Sequence, residues 1–130
     1  MAAGEWQNTR FEFLDLMDIG KVDIAQPDVG RVGGLTEALR VCDLAAERGR
    51  GIIPHCWKTG IRIAASAHLA AVTPHCPYFE FLPAELTDSL LRQELVKDEI
   101  ELVDGKLSIP RKPGLGIEVD MDALRRFEQD

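Results

Sequence analysis

The chain has 130 residues, of which 45% are hydrophobic and 28% charged, and it carries a formal net charge of −7 at pH 7. This size suits one domain with a buried core, and the acidic balance argues against nucleic-acid binding, which needs a basic face. The three cysteines form no CxxC pair, and the sequence shows no signal-peptide pattern or bilayer-length apolar stretch, so we expect a cytoplasmic protein with reduced thiols and no membrane contact.

Helices and short apolar strands alternate along the first part of the chain. The predicted elements are, in order, a helix over 8–18, a strand over 21–26, a helix over 35–48, a strand over 51–54, a helix over 61–72 and a strand over 78–82. Residues 30–34 are expected to form a glycine-rich loop. This alternation predicts an α/β fold in which parallel strands are joined by right-handed crossovers and are buried on both faces.

The pattern changes after Pro83, where the alternation of strands and helices stops. The elements expected there are a helix over 85–95, a hairpin over 99–109, an extended segment over 110–116 and a closing helix over 121–127. Asp104 and Gly105 are expected to form the hairpin turn, because Asp-Gly supplies the positive φ angles that a tight turn needs.

A charged or polar side chain follows each of the three predicted strands. These side chains are Asp28, His55 and Glu80. In a parallel α/β barrel the C-terminal ends of the strands face one mouth, where active sites lie. The strand order therefore predicts that the three side chains converge in one pocket.

Short motifs around these residues stand in the order and spacing of a known family. The segment 26–37, which contains Asp28, resembles the sixth-strand signature of the mandelate racemase/muconate-lactonising group of the enolase superfamily. The segment 54–57 resembles the end of that group's seventh strand, where a catalytic histidine follows the aspartate by 27 residues, as His55 does here.

Three further segments resemble the same group and extend the similarity over essentially the whole chain. The segment 79–81 resembles the eighth-strand glutamate, 4–6 the fifth-strand Gly-Glu, and 113–119 the closing Pro-Gly-Leu-Gly stretch. The resemblance implies a partial (β/α) barrel of about three parallel βα units, strands six to eight, which starts at the end of the fifth strand. Residues 1–83 would belong to the barrel domain, and the helix, hairpin and tail of residues 84–130 would pack on a capping domain.

The resemblance also implies a chemistry, which is abstraction of the proton next to a carboxylate with an enediolate stabilised by Mg²⁺. His55 would be the base, because imidazole titrates near neutral pH, and Asp28 would accept a hydrogen bond from the other ring nitrogen. Glu80 would support the substrate carboxylate oxygen, and Glu5 would bind Mg²⁺, which prefers oxygen ligands.

The substrate is expected to be a small-molecule carboxylate or sugar acid. The segment 54–61 looks closer to sugar-acid members of the group, which favours an acid-sugar dehydratase over the alternative of a 2-hydroxy-acid racemase. Trp57 and Lys58 in this segment are candidate substrate-binding residues, and the Lys58 ammonium is suited to an anionic group.

The family's other metal carboxylates and its base on the opposite face of the substrate do not fall within these 130 residues. One carboxylate holds Mg²⁺ weakly, and barrel strands without their neighbours expose apolar edges. We therefore expect the isolated chain to be nearly inactive and to self-associate. A catalytically silent fragment that acts only in assembly is a second hypothesis.

Each candidate residue also has an ordinary structural explanation. Asp28 could cap a turn, His55 could be a hydrogen-bonded structural histidine, and Glu80 could point outward from a strand. Glu5 could be a solvated residue near the terminus, and Lys58 a surface lysine. The cysteines and histidines fit no standard zinc spacing and the glycine loop fits no nucleotide-binding motif, so neither ligand is expected.

Overall fold

The computed structural model describes residues 1–128 of the chain. Its strands are β1 (Ala2–Ala3), β2 (Ile24–Ala25), β3 (Gly51–Ile52), β4 (Leu102–Val103) and β5 (Lys106–Leu107). Its α-helices are α1 (Arg10–Asp18), α2 (Val29–Val32), α3 (Leu35–Glu47), α4 (Gly60–Ala71), α5 (Leu90–Glu94) and α6 (Met121–Arg126), and a 3-10 helix spans Ala84–Leu86.

Three of the strands form one parallel sheet in the order β1–β2–β3. Ala25 of β2 pairs with Ala3 on one side and with Ile52 on the other. β4 and β5 form a separate antiparallel hairpin, and its turn residues Asp104 and Gly105 have φ angles of 50° and 73°. The predictions of a mixed α/β fold, of three parallel strands and of a C-terminal hairpin are confirmed.

The position of the third parallel strand was predicted wrongly. Residues 78–82 join neither sheet in the structure of residues 1–128, and the third strand is β1 at the start of the chain. The His75 carbonyl accepts a hydrogen bond from the Ile52 amide at 3.1 Å, so pairing with the outer edge of β3 begins there. Pro77 then has no amide proton to donate, and the ladder goes no further.

The expected loop over 30–34 was also wrong in its first half, which belongs to the short helix α2. Asp28 starts this helix by accepting a hydrogen bond from the Gly30 amide. Gly33 ends it with a φ angle of 116°, a backbone conformation that favours glycine.

The expected helix over 85–95 is broken into the 3-10 helix and α5. Thr87 ends the 3-10 helix because its backbone is extended, with φ −126° and ψ 141°. The Ser89 hydroxyl then accepts a hydrogen bond from the Arg92 amide and starts α5 anew. The polar residues between the two apolar stretches thus act as caps and not as helix-interior residues.

Two buried clusters hold the molecule together. The first joins α1, α3 and the parallel sheet and includes Phe13, Met17 and Val41, none of which is more than 1% exposed. The second packs Ile63 of α4 against Ile100 of the C-terminal part. This cluster contains residues from both sides of residue 83, so residues 1–83 and the C-terminal part pack on each other. The division into two domains at residue 83 stays a prediction. Within residues 1–128, no helix is both long enough and apolar enough to traverse a bilayer.

Candidate active site

Asp28 lies just past β2, and only 2% of its side chain is exposed. Its Oδ1 accepts a hydrogen bond from the Gly30 amide at 2.8 Å, which caps α2. Its Oδ2 lies 3.1 Å from Nδ1 of His55 and 3.1 Å from a guanidinium nitrogen of Arg62. Asp28 therefore does both things that the sequence suggested: one carboxylate oxygen caps a helix, and the other contacts His55.

His55 follows β3 and continues its pairing with β2, because the His55 amide donates to the Pro27 carbonyl at 3.2 Å. This backbone contact aligns the ring with Asp28. An ionised carboxylate only accepts hydrogen bonds, so we assign a proton to Nδ1, and Nε2 is the ring nitrogen that is left to exchange a proton with a ligand. The side chain is 13% exposed, so the ring is enclosed without being sealed from a ligand.

Glu5 reaches the other nitrogen of the same ring. Its Oε2 lies 3.4 Å from Nε2 of His55, and its Oε1 accepts a hydrogen bond from the Trp6 indole at 2.8 Å. Gly4 permits this approach, because its φ is 130° and a Cβ there would lie 2.6 Å from the Phe13 ring. The half-exposed Glu5 carboxylate is therefore held at the mouth by neighbours on both sides.

Glu80 is linked to His55 through Trp57. The Trp57 indole nitrogen donates to Oε1 of Glu80 at 2.5 Å, and the Trp57 and His55 ring centroids are 5.7 Å apart. Oε2 of Glu80 is buried and has no hydrogen-bond partner among the described residues. A buried polar atom without a partner is costly, so this oxygen is suited to a ligand. Lys58, the other candidate for substrate binding, is exposed.

The predicted convergence of these polar side chains is present in the structure as a series of contacts around His55. Asp28 and Glu5 each contact the His55 ring, and Trp57 links Glu80 to the same place although no strand carries it. The contacts place these residues together, and their chemical roles stay predictions.

Arg62 is the residue of this site that sequence reasoning missed. It lies in the first turn of α4 and its guanidinium contacts both oxygens of Asp28, at 3.1 and 3.4 Å. No spacing or motif marked it. The available signal was indirect, because an aspartate buried next to a strand requires a positive or hydrogen-bonding partner, and Arg62 follows His55 closely in the sequence.

The described residues do not form a magnesium site by themselves. No group of three or more His, Cys, Asp or Glu side chains in residues 1–128 is placed to hold a metal ion. Glu5 offers one carboxylate, and its oxygens already face Trp6 and His55. Mg²⁺ requires near-octahedral oxygen coordination, so these neighbours do not fit it without further oxygen ligands.

Cys56 directly follows His55, but it is not a candidate nucleophile. Its side chain is completely buried, and this burial raises the pKa of the Cys56 thiol to about 12. The thiolate is the reactive form of cysteine, so a thiol with this pKa is inert at neutral pH. The acid–base residues at the mouth are therefore the groups on which a function can be based.

The model of a protein family described as enolase C-terminal domain-like matches residues 1–123 of the chain. Among curated proteins, a D-galactarolactone cycloisomerase of Agrobacterium fabrum is 37% identical over 98% of this chain and 35% of its own length. A D-galactonate dehydratase of Xanthomonas oryzae pv. oryzae is 33% identical over 100% of this chain and 35% of its own length.

Solved structures show the same similarity in three dimensions. The crystal structure of the 3,6-anhydro-D-galactonate cycloisomerase from Zobellia galactanivorans superposes with a TM-score of 0.88 and 38% identity, over 99% of this chain and 36% of that one. The chain thus spans about a third of the length of the relatives that it matches, 35% for both curated proteins. The activity of a whole relative is therefore not attributed to these residues alone.

Proposed function

Because this chain belongs to the enolase C-terminal domain-like family of the enolase superfamily, we propose that it supplies the proton-transfer residues of an enzyme acting on a sugar acid. The reaction begins with removal of the proton on the carbon next to the carboxylate. The observation that carries the proposal is the contact between Asp28 and His55, at 3.1 Å, beside a mouth where further carboxylates converge.

His55 accepts the substrate proton at Nε2, because Nδ1 is already protonated and donates to Asp28. Asp28 fixes the tautomer and the ring orientation, since its buried carboxylate offers Nδ1 only an acceptor. The partner-free Oε2 of Glu80 faces a substrate carboxylate oxygen, a contact that requires a proton between the two oxygens, and Trp57 holds the other oxygen of Glu80 in place. Lys58 is exposed, and its ammonium group attracts an anionic substrate.

A dehydratase is the reaction that we favour. After His55 takes the proton, the protonated ring donates it to the hydroxyl on the next carbon, which leaves as water. The C–H and C–O bonds break, and a double bond forms between the two carbons. The name of the Xanthomonas relative supports this choice, since it is a D-galactonate dehydratase, 33% identical over the whole of this chain.

A cycloisomerase is the second candidate, and the 37% identity with the D-galactarolactone cycloisomerase favours it. In that case the leaving oxygen would belong to a ring and would stay attached to the product. A 2-hydroxy-acid racemase is a further alternative, which requires a second base on the opposite face of the substrate. The three reactions share the first step at His55 and differ in their later steps.

Mg²⁺ is expected from the family resemblance, and Glu5 is the ligand that this chain would contribute. The described residues do not complete such a site, so we derive no step through the metal. A silent fragment that acts only in assembly remains the alternative for the isolated 130 residues. We also propose a cytoplasmic location, in keeping with three free cysteine thiols.

The test is His55→Asn in the full-length protein that carries these residues. Substrate incubated in D₂O with the unmodified protein should exchange its α-proton, and the variant should lose this exchange. His68→Gln is the matched control, because among residues 1–128 the His68 side chain hydrogen-bonds only to the Leu115 carbonyl, at 3.2 Å, and glutamine can still donate a hydrogen bond to it. Exchange that persists at the unmodified rate in His55→Asn would remove His55 from the mechanism and end the proposal.

A further inference from the structure

The Asp28 carboxylate is held from three directions. The Gly30 amide donates to Oδ1 at 2.8 Å, while His55 and Arg62 share Oδ2, each at 3.1 Å. Arg62 also approaches Oδ1 at 3.4 Å, so its guanidinium spans the carboxylate. The two donors other than His55 fix the plane of the carboxylate, and that plane decides where Oδ2 points.

Arg62 reaches Asp28 by crossing directly over Gly30. A Cβ on Gly30 would lie 2.2 Å from Nε and 2.6 Å from Cζ of Arg62, so the guanidinium would have to move away from its present position. The backbone of Gly30 is helical, with no positive φ, so space for the guanidinium is the constraint on this position. Gly30 therefore leaves room for the arginine and donates its amide to the same carboxylate.

We propose that Arg62 is a positioning residue, which acts through Asp28 to hold the His55 ring in the orientation for proton transfer. The proposal rests on the proposed function of His55. Arg62 lies on α4, whereas Asp28 follows β2 and His55 follows β3. The guanidinium thus ties the two strand ends to the helix that comes after them in the chain.

Loss of Arg62 removes one of the two side chains that contact Oδ2. Asp28 keeps its bond to the Gly30 amide, so α2 keeps its cap, but the carboxylate becomes free to turn away from His55. Residues that orient a reacting group contribute to the rate of the chemical step and little to substrate binding. We expect kcat to fall about 10- to 100-fold, with KM changed by less than about threefold.

Four variants of the full-length protein that carries these residues test the proposal. Arg62→Gln removes the charge, and Arg62→Lys keeps it on a shorter group. Gly30→Ala keeps Arg62 but displaces its guanidinium. Arg40→Gln is the control, because Arg40 is exposed and its one ion pair among the described residues is with Asp43, at 3.6 Å. For each variant, kcat and KM for α-proton exchange are measured, and the tautomer of His55 is read from ¹⁵N–¹H NMR correlations of the ring.

The proposal is supported if Arg62→Gln and Gly30→Ala both lower kcat with KM retained, and if Arg62→Lys or added guanidinium ion restores part of the rate. The NMR spectra should then show a mixture of ring tautomers in Arg62→Gln and one tautomer in Arg40→Gln. It is overturned if Arg62→Gln keeps the kcat and the ring tautomer of the unmodified protein, or if neither Arg62→Lys nor guanidinium ion restores any rate.

His55→Asn separates a failure of this proposal from a failure of the proposed function. If His55→Asn abolishes exchange while Arg62→Gln leaves it unchanged, only the role of Arg62 is lost. If His55→Asn retains exchange, the function itself is wrong. The NMR measurement needs no substrate, so it decides the positional claim even for a variant too unstable for reliable kinetics.

Discussion

The substitution Asp28→Asn keeps the size of the side chain at the mouth and removes its charge. Its oxygen can still accept from the Gly30 amide, but its NH₂ group then replaces the Oδ2 atom that His55 and Arg62 contact at 3.1 Å. To pair with this new donor, the His55 ring must move its proton to Nε2 or turn away. The first change protonates Nε2 and the second displaces it, so in both cases Nε2 can no longer accept the substrate proton, and we expect the rate of α-proton exchange to fall about 10³- to 10⁴-fold.

The same substitution also has a cost in stability. Removing one partner of a fully buried ion pair costs about 3–5 kcal/mol. The Arg62 side chain is 30% exposed and can be rehydrated, so we expect a free energy of unfolding lower by about 2 kcal/mol. The unfolding entropy grows with the number of residues, so in a full-length protein about three times as long as this chain that loss lowers Tm by about 3 °C.

Thermal unfolding followed by circular dichroism and exchange followed by ¹H NMR in D₂O measure the two effects in the full-length protein that carries these residues. Asp43→Asn is the matched control, because Asp43 is exposed and, within the part of the chain that the structure describes, pairs only with Arg40, at 3.6 Å. An Asp28→Asn variant that melts like the unmodified protein and exchanges within about threefold of its rate would refute the assigned tautomer.

Two further predictions concern the thiols and the isolated chain. Alkylation at pH 8 should label the half-buried Cys76 well before Cys56, because a pKa of about 12 leaves a Cys56 thiolate fraction of about 10⁻⁴ at that pH. Mass spectrometry of the labelled peptides shows which cysteine reacts first. The labelling rate of Cys56 should rise only as the pH approaches the pKa of its thiol. Equal labelling of the two cysteines in the folded protein would contradict the burial of Cys56. The isolated 130 residues should self-associate, because the large apolar side chains of Phe11, Ile19 and Tyr78 are 68%, 77% and 74% exposed. Sedimentation velocity measures this association. A monomer that unfolds in one sharp transition would contradict the prediction.

The long helices, β2, β3 and the C-terminal hairpin could be predicted from the sequence, whereas β1 could not. The bounds of α3 and α4 lie within one residue of the predicted ranges, because apolar residues repeat at helical spacing over more than ten positions. β1 consists of two alanines, which carry no alternating pattern. The segment 78–82 has a strand composition, but Phe79 and Phe81 pack against the second buried cluster without a ladder.

The pairing of Asp28 with His55 could be predicted although the third strand could not, because it depends on the register of β2 and β3 alone. Ile24 pairs with Gly51, and Ala25 with Ile52, so each residue of β2 lies beside the residue 27 positions later in the chain. The same offset continued past the strand ends brings Asp28 beside His55.

Parallel neighbours lie about 4.8 Å apart, and side chains at equal positions on adjacent strands point to the same side. A carboxylate and an imidazole in that relation are within hydrogen-bond reach without any help from a loop. The 27-residue spacing between Asp28 and His55 thus reflects the register of β2 and β3. A one-residue insertion between these strands would separate Asp28 from His55 unless the connection before residue 51 accommodated the extra residue. Arg62 has no such register, because its contact with Asp28 is set by the packing of α4, and for that reason no fixed spacing in the sequence marks it.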